Sequence, residues 1–238
     1  MTADQLVRSS RELLDLELGR DVQRAFSLYA EQLLAWNERV NLTAITDPEA
    51  IVTRHFLDSL SVKMAVTFTA GMRVVDVGTG AGFPGLPLRL VFPQIELTLL
   101  EATAKKTAFL QHVTQLLGLT NVCILTARAE DAGQDPATRE KFDLALARAV
   151  APLPVLAEYL LPLCRIGGRC VALKGEHAAA EVQAAQHALR ILGGRLAKII
   201  SVELPQVVET HHLVVIEKIA ATPPQYPRRP GIPSKRPL

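Results

Sequence analysis

The sequence predicts an α/β protein: a mostly parallel, seven-stranded sheet with helices on both faces, preceded by a helical extension. Three observations carry this. From Arg73 onward, strand-like and helix-like runs alternate five times. The strand runs are nearly all apolar, as a sheet covered on both faces requires. The alternation then ends in two further strands with no helix between them.

Before Arg73 the chain reads as helical. Val22, Phe26, Tyr29, Leu33, Trp36 and Val40 recur in steps of four and three, one apolar helix stripe that places Trp36 in a core. Asp47-Pro48 has the form of an N-cap followed by proline at the first helical position. The helix it opens runs to about Val66 and brings His55, Asp58 and Ser59 within one turn. The alternating region pairs RVVDV with a helix from about Gly85, IELTLLE with TAKKTAFLQHVTQLLG, and NVCILTA with a short helix after Glu130. FDLALA pairs with PLPVLAEYLLPL, and RCVALK with HAAAEVQAAQHALRILGG. RLAKIISVEL and HHLVVIEKI then read as a hairpin closing one edge, antiparallel at least in part. The last 17 residues, TPPQYPRRPGIPSKRPL, hold six prolines and read as an extended basic tail. The organisation expected is a helical extension over 1–70 packed on the core, a main domain over 71–220 and a tail over 221–238.

Composition sets outer bounds. The chain has 238 residues, 49% of them hydrophobic and 21% charged, enough for one large core and too apolar for a disordered chain. No apolar run reaches the length of a membrane span, and the N-terminus lacks a signal peptide's apolar core. The expectation is a cytoplasmic protein with no membrane partner, and nothing in the sequence demands more than a monomer. Cys123, Cys164 and Cys170 form no CxxC, which points to buried reduced thiols, and no metal site is expected. The net charge is +2, unevenly spread. Arg228, Arg229, Lys235 and Arg236 lie in a stretch without acids, and 26 basic residues less these four leaves 22 against 24 acidic ones.

The chemistry concentrates in DVGTGAGFPGLP, residues 76–87. It contains GxGxxG as Gly80, Gly82 and Gly85, the spacing of a dinucleotide loop, and DxGxGxG from Asp76 through Gly78, Gly80 and Gly82, the spacing of a methyl-donor loop. A loop after the first strand lies at the ligand-binding edge of an open parallel sheet. Asp76 would repel a pyrophosphate and suit the ammonium and sulfonium of S-adenosyl-L-methionine. Pro84 offers no N–H where a dinucleotide loop needs phosphate donors. Glu101, ending the second strand, suits a ribose and does not discriminate between the two ligands. With the terminal hairpin, the loop favours a class I, Rossmann-like methyltransferase fold. Arg128 to Asp131 could read an adenine edge or simply open a helix. Arg148, at the end of an apolar strand, needs a ligand, a phosphate or a carboxylate as partner. Lys174 at the end of the fifth strand reads the same way.

Absent motifs narrow the acceptor. No Asn/Asp-Pro-Pro-aromatic motif follows the fourth strand, and there is no Pro-Cys nucleophile. Acceptors that are already nucleophilic remain, among them N7 of guanine, which needs in-line placement and no general base. A methyltransferase acting on another RNA, a protein or a small molecule stays open, as does a binder without catalysis; a nicotinamide oxidoreductase has only the GxGxxG spacing behind it. No catalytic residue is identified.

From about residue 30 to the C-terminus the sequence resembles the bacterial 16S ribosomal RNA guanine-N7 methyltransferase family, also called glucose-inhibited division protein B. The resemblance rests on Asn41-Leu-Thr with His55-Phe-Leu-Asp58-Ser-Leu, on DVGTGAGFPGLPL, KKTAFLQHV, ARAVAPL and GGRCVALKG, and on RRPGIPSKRPL. It implies S-adenosyl-L-methionine as donor and guanine 527 of 16S rRNA, in the small ribosomal subunit or its precursor, as acceptor. The family's donor-contacting positions fall on Gly78, Phe83, Glu101, Ala102, Thr103, Ala129, Glu130 and Arg148, beside the loop residues Asp76 and Gly80. Glu101-Ala102 departs from the Asp-Ser or Asp-Ala of many members but keeps the carboxylate. RNA contacts are expected from Arg228, Arg229, Lys235 and Arg236, four cations on a proline-stiffened, acid-free segment. Lys105, Lys106 and Arg54 are weaker candidates.

Overall fold

The computed structural model describes residues 2–238. Helices α1 (Thr2–Leu14) and α2 (Arg20–Val40) precede a composite helix. That helix opens as α3 (Pro48–Ile51), with the Asp47 carboxylate accepting from the Ala50 N–H as an N-cap. It widens into a π-helical turn over Val52–Leu57, where the Asp58 N–H reaches back to the Thr53 carbonyl. It finishes as α4 (Asp58–Leu60) and a 3-10 turn over Ser61–Met64.

The alternating region follows as β1 (Arg73–Val77), α5 (Gly85–Val91), β2 (Glu96–Glu101), α6 (Ala104–Leu116), β3 (Val122–Thr126) and α7 (Ala129–Gln134). It continues with β4 (Phe142–Arg148), α8 (Leu153–Leu160), β5 (Cys164–Lys174), α9 (Ala178–Ala184), α10 (Gln186–Leu192), β6 (Gly194–Val202) and β7 (His211–Lys218). The sheet has seven strands in the order β3-β2-β1-β4-β5-β7-β6. β1 to β5 are parallel; β7 inserts antiparallel between β5 and β6. The seven-stranded sheet and closing hairpin match the sequence expectation. The single helix expected over 177–194 is broken at Ala185, whose N–H is shared between the carbonyls of Glu181 and Val182.

The period of two along each strand sorts side chains into two cores. Val74, Leu97, Leu99, Leu144 and Leu146 join one cluster with Phe26, Tyr29, Leu33 and Phe56 of the N-terminal helices. Val75, Val77, Leu100, Ala145 and Ala147 join the other, with α8 and α10. The helical extension is thus part of the covering on one face. Its Tyr29 stacks on Phe83 of the loop after β1 (centroids 5.4 Å apart), and its hydroxyl donates to the Ala81 carbonyl. Trp36 packs against Phe109 of α6. Cys164 and Cys170 are buried free thiols; Cys123 is exposed, because β3 is an edge strand.

The C-terminal segment departs from the expected extended tail. Gln134 donates to the carbonyls of Pro224 and Pro227, and Arg139 to those of Thr222 and Tyr226. Arg228 forms a bidentate pair with Glu158, whose side chain is fully buried on α8 (Nη2 to Oε2, 2.6 Å). A short helix α11 (Ile232–Lys235) follows. Prolines keep this segment from joining the sheet, but they leave its carbonyls free, and side-chain donors from α7 and the loop after it take them.

Candidate functional site

Because β1 to β5 are parallel, their carboxyl ends share one edge, and two clefts open there. The first, of about 390 Å³, is lined at its base by Val77, Gly78, Leu100 and Glu101. Ala102, Thr103 and the segment 127–130 form one side, Val150 and Tyr159 another. Pro230, Gly231 and Ser234 close it from the C-terminal segment.

Gly78 makes the floor possible. Its φ is +66°, and a Cβ there would lie 2.7 Å from a Val150 methyl, so a side chain would meet both backbone strain and a clash. Glu101 braces the loop: one carboxylate oxygen accepts from the Gly80 N–H (3.1 Å), the other from the Thr103 N–H (2.8 Å). Each oxygen keeps a further lone pair for a ligand hydroxyl. Glu130 is buried and accepts from the Gly231 N–H (2.9 Å), tying the start of α7 to the C-terminal wall. Tyr159 hydrogen-bonds Ser234 across the same gap (3.0 Å).

Asp76 is placed differently from the expectation that it faces a cationic ligand. It follows Val75 and precedes Val77, so the alternation turns it to the opposite face from the cleft. Its side chain is fully buried; Oδ2 accepts from the Thr79 hydroxyl (2.5 Å) and the Gly85 N–H (2.8 Å), and Oδ1 has no partner. Burial outweighs those two bonds and the nearby Arg148 cation, raising its pKa to about 6. The carboxylate holds the glycine loop in shape from behind.

Arg148 points to the same face as Asp76, and of the three partners its position allows (a ligand, a phosphate or a carboxylate) it meets a carboxylate. Its guanidinium donates to Asp58 Oδ2 (2.9 Å), the Arg54 carbonyl (2.8 Å) and His55 Nδ1 (3.1 Å), and lies 4.9 Å above the Phe83 ring. Phe83 itself is buried between Tyr29 and His55. Neither residue lines the first cleft: Arg148 turns to the second, and Phe83, buried in the aromatic cluster, lines neither. That second cleft, of about 430 Å³, is lined by Arg148, Ala149, Lys174, Glu181, His211 and residues of the π-helical turn.

Of the expected donor residues, the structure brings Gly78, Glu101, Ala102, Thr103, Ala129 and Glu130 to the first cleft. Gly80 contributes its N–H to Glu101. Among the cations expected to meet RNA, Arg228 is committed to Glu158 and Arg54 pairs with Glu209 (3.1 Å). Arg229, Lys235 and Arg236 are exposed on the docked segment, and Lys105 on the first turn of α6. Tyr159, Gly231 and Ser234 were not singled out by sequence reasoning: nothing in AEYLL or RPGIPS marks a ligand wall until the tail folds back. Among the described residues no group of three or more His, Cys, Asp or Glu could hold a metal ion, and no helix is long and apolar enough to cross a membrane.

Comparison with known proteins adds lineage to this geometry. The family model described as rRNA small subunit methyltransferase G matches residues 22–213. The chain is 50% identical to the ribosomal RNA small subunit methyltransferase G of Roseiflexus castenholzii, covering 99% of both chains. It is 45% identical to the protein of that name from Desulfitobacterium hafniense (98% and 96% covered). Against that from Alkaliphilus metalliredigens it is 43% identical over the full length of both. Among solved structures, TrmN from Thermus thermophilus superposes with a TM-score of 0.53 at 21% identity, covering 71% of this chain and 53% of that one. TYW2 from P. horikoshii, in complex with MeSAdo, gives 0.54 at 15% identity, covering 68% and 61%. These two likenesses establish the fold.

Proposed function

The chain belongs to the rRNA small subunit methyltransferase G family, and from that premise we propose that it transfers a methyl group from S-adenosyl-L-methionine to N7 of guanine 527 in 16S rRNA. The observation that carries the reading is the first cleft at the carboxyl edge of the sheet, floored by Gly78 and flanked by Glu101, with a second cleft immediately across residues 148–151.

The residues present fit the donor. A cleft of about 390 Å³ lies in the range of small-ligand sites. Gly78 leaves room for close approach to the backbone, and Glu101 has lone pairs for ribose hydroxyls. Ala129 and Glu130 line the position where a base would lie, and Tyr159 with Gly231 and Ser234 would shut out water. When bound, S-adenosyl-L-methionine supplies an electrophilic methyl group carried on a sulfonium. The chain's part is then orientation. Guanine N7 has a lone pair and no proton to lose, so no residue need act as a base toward N7 itself, and rate follows from holding the acceptor in line. Loop geometry is therefore what the site must keep, and Asp76, Thr79 and Glu101 keep it.

Arg229 and Lys235 adjoin Pro230 and Ser234 of the first cleft's wall, and Lys105 follows its Thr103 by two positions; with Arg236 they offer phosphate contacts near that cleft, so RNA would approach where the bound donor is reached. The reading is of a cytoplasmic enzyme acting as a monomer on the small subunit or its precursor. Incubation with radiolabelled S-adenosyl-L-methionine and small subunits lacking the modification should place label in N7-methylguanosine at that single position. Label absent from N7-methylguanosine would overturn the proposal.

A further inference from the structure

The second cleft lies on the far side of residues 148–151 from the first: Arg148 and Ala149 line it, while Val150 lines the first. Nearly all of its polar atoms are spoken for. Arg148 donates to His55 Nδ1, and arginine keeps its protons, so His55 carries hydrogen on Nε2 and donates it to the Thr43 hydroxyl oxygen (2.8 Å). Arg148 also satisfies Asp58 Oδ2. Lys174 donates to the Ala151 carbonyl (2.6 Å) and lies 2.7 Å from the Glu181 carboxylate. His211, the first residue of β7, donates from Nδ1 to Asp58 Oδ1 (2.8 Å). Its Nε2 has no hydrogen-bond partner among the described residues, and its half-buried ring lines the cleft. Asp58, itself buried and gripped by Arg148, thus fixes both the tautomer and the direction of His211. Neutral His211 presents one unclaimed lone pair to the cleft.

Resting on the function proposed above, we propose that this second cleft receives the Watson–Crick edge of the target guanine, with neutral His211 accepting a hydrogen bond from guanine N1–H through Nε2. A purine carries N1 and N7 on opposite edges. A base lying across residues 148–151 with N7 toward the first cleft therefore turns N1 toward the second. Adenine has the same N7 but a lone pair at N1, which would face the lone pair of His211. The contact thus selects guanine. It also strengthens during the reaction. As the N7 lone pair forms the new N–C bond, the sulfur–carbon bond breaks with its electrons going to sulfur, and the positive charge passes to the base. N1–H becomes more acidic and donates more strongly, while staying on the base. A bond stronger in the transition state than before it accelerates transfer.

The same geometry sets a pH response. His211 is faced by Asp58, Arg54 and His55 from the helix, Arg148 from β4, the Lys174–Glu181 pair, and Glu209 in the preceding loop. The hydrogen bond to Asp58 raises its pKa against burial and the two arginines. Protonated His211 would offer a donor and a cation to a base that is itself becoming cationic. Activity should therefore be low in acid and rise with pH through the raised histidine value.

The test uses the full chain with small subunits lacking the modification. His211→Phe removes the acceptor: kcat should fall at least tenfold, with affinity for S-adenosylhomocysteine, measured by calorimetry, unchanged. His211→Gln keeps a carbonyl acceptor that does not titrate: it should recover part of kcat and lose the acid limb of the pH profile, a change a purely structural clip would not produce. Subunits with adenine at the target position should be methylated no better than background by the native chain. Native kcat with the native pH profile in His211→Phe, or an acid limb retained in His211→Gln, overturns this inference. If His211→Phe fails to fold, the pH profile of His211→Gln decides it. If the native chain methylates no guanine N7 at all, it is the function itself that fails.

Discussion

At the scale of single residues, the site is governed by which way a side chain leaves its strand. Asp76 and Val77 are neighbours in sequence, yet Val77 lines the first cleft and Asp76 is buried behind it. The sequence marked Asp76 by its spacing to the glycines; the spacing reflects a brace, since its Oδ2 holds Thr79 and the Gly85 N–H. Asn at this position keeps an acceptor for both donors. Asp76→Asn should therefore change stability by less than about 1 kcal/mol and leave S-adenosylhomocysteine affinity intact, whereas Asp76→Ala orphans two buried donors and should cost about 2–4 kcal/mol. Chemical denaturation with calorimetry on both variants checks this. Loss of donor affinity in Asp76→Asn at unchanged stability would mean the carboxylate acts on the ligand directly.

Among elements, the C-terminal segment changes meaning most. Its composition reads as a polycation for RNA. Folded, it forms one wall of the first cleft, anchored by Arg228 on a buried Glu158 and by the Gly231 N–H on Glu130. Removing one partner leaves a buried carboxylate uncompensated, which is costly whatever the pair itself contributes. Arg228→Ala should lower stability by about 3 kcal/mol, less if the segment lifts away and hydrates Glu158, and should weaken S-adenosylhomocysteine binding in either case. Thermal melts and calorimetry on the variant measure both. Donor affinity unchanged while RNA affinity falls would return Arg228 to the role its sequence suggested. The π-helical turn is the other element the sequence hid. His55, Asp58 and Ser59 were correctly grouped within a turn, but the widened geometry that sets Asp58 between Arg148 and His211 carries no sequence signature.

For the whole molecule, buried ionisable groups make stability depend on pH with opposing signs. His55 has its pKa lowered from 6.5 to about 3 by burial and by Arg148. Its contribution is full above 6.5 and is lost as pH falls toward 3. Asp58, lowered from 3.8, acts in the same sense at more acid pH. Asp76, raised to about 6, acts oppositely: its contribution is present below 3.8 and lost as pH rises through 6. His55→Gln isolates the first effect. The variant should be less stable than the native chain near pH 7, and the gap should narrow by on the order of 3 kcal/mol by about pH 4. A gap that stays constant with pH would show that His55 titrates normally. The sequence by itself determined the sheet, its closing hairpin, the glycine loop at its carboxyl edge and the family, because periodicity and short-range spacing are written along the chain. Tertiary structure alone decided that Asp76 faces away from the first cleft, that the tail walls that cleft, and that Arg148, Asp58 and His211 meet. Those depend on the twofold alternation acting at one shared edge, and on buried charges finding partners across 90 to 153 positions of chain, where no local pattern reaches.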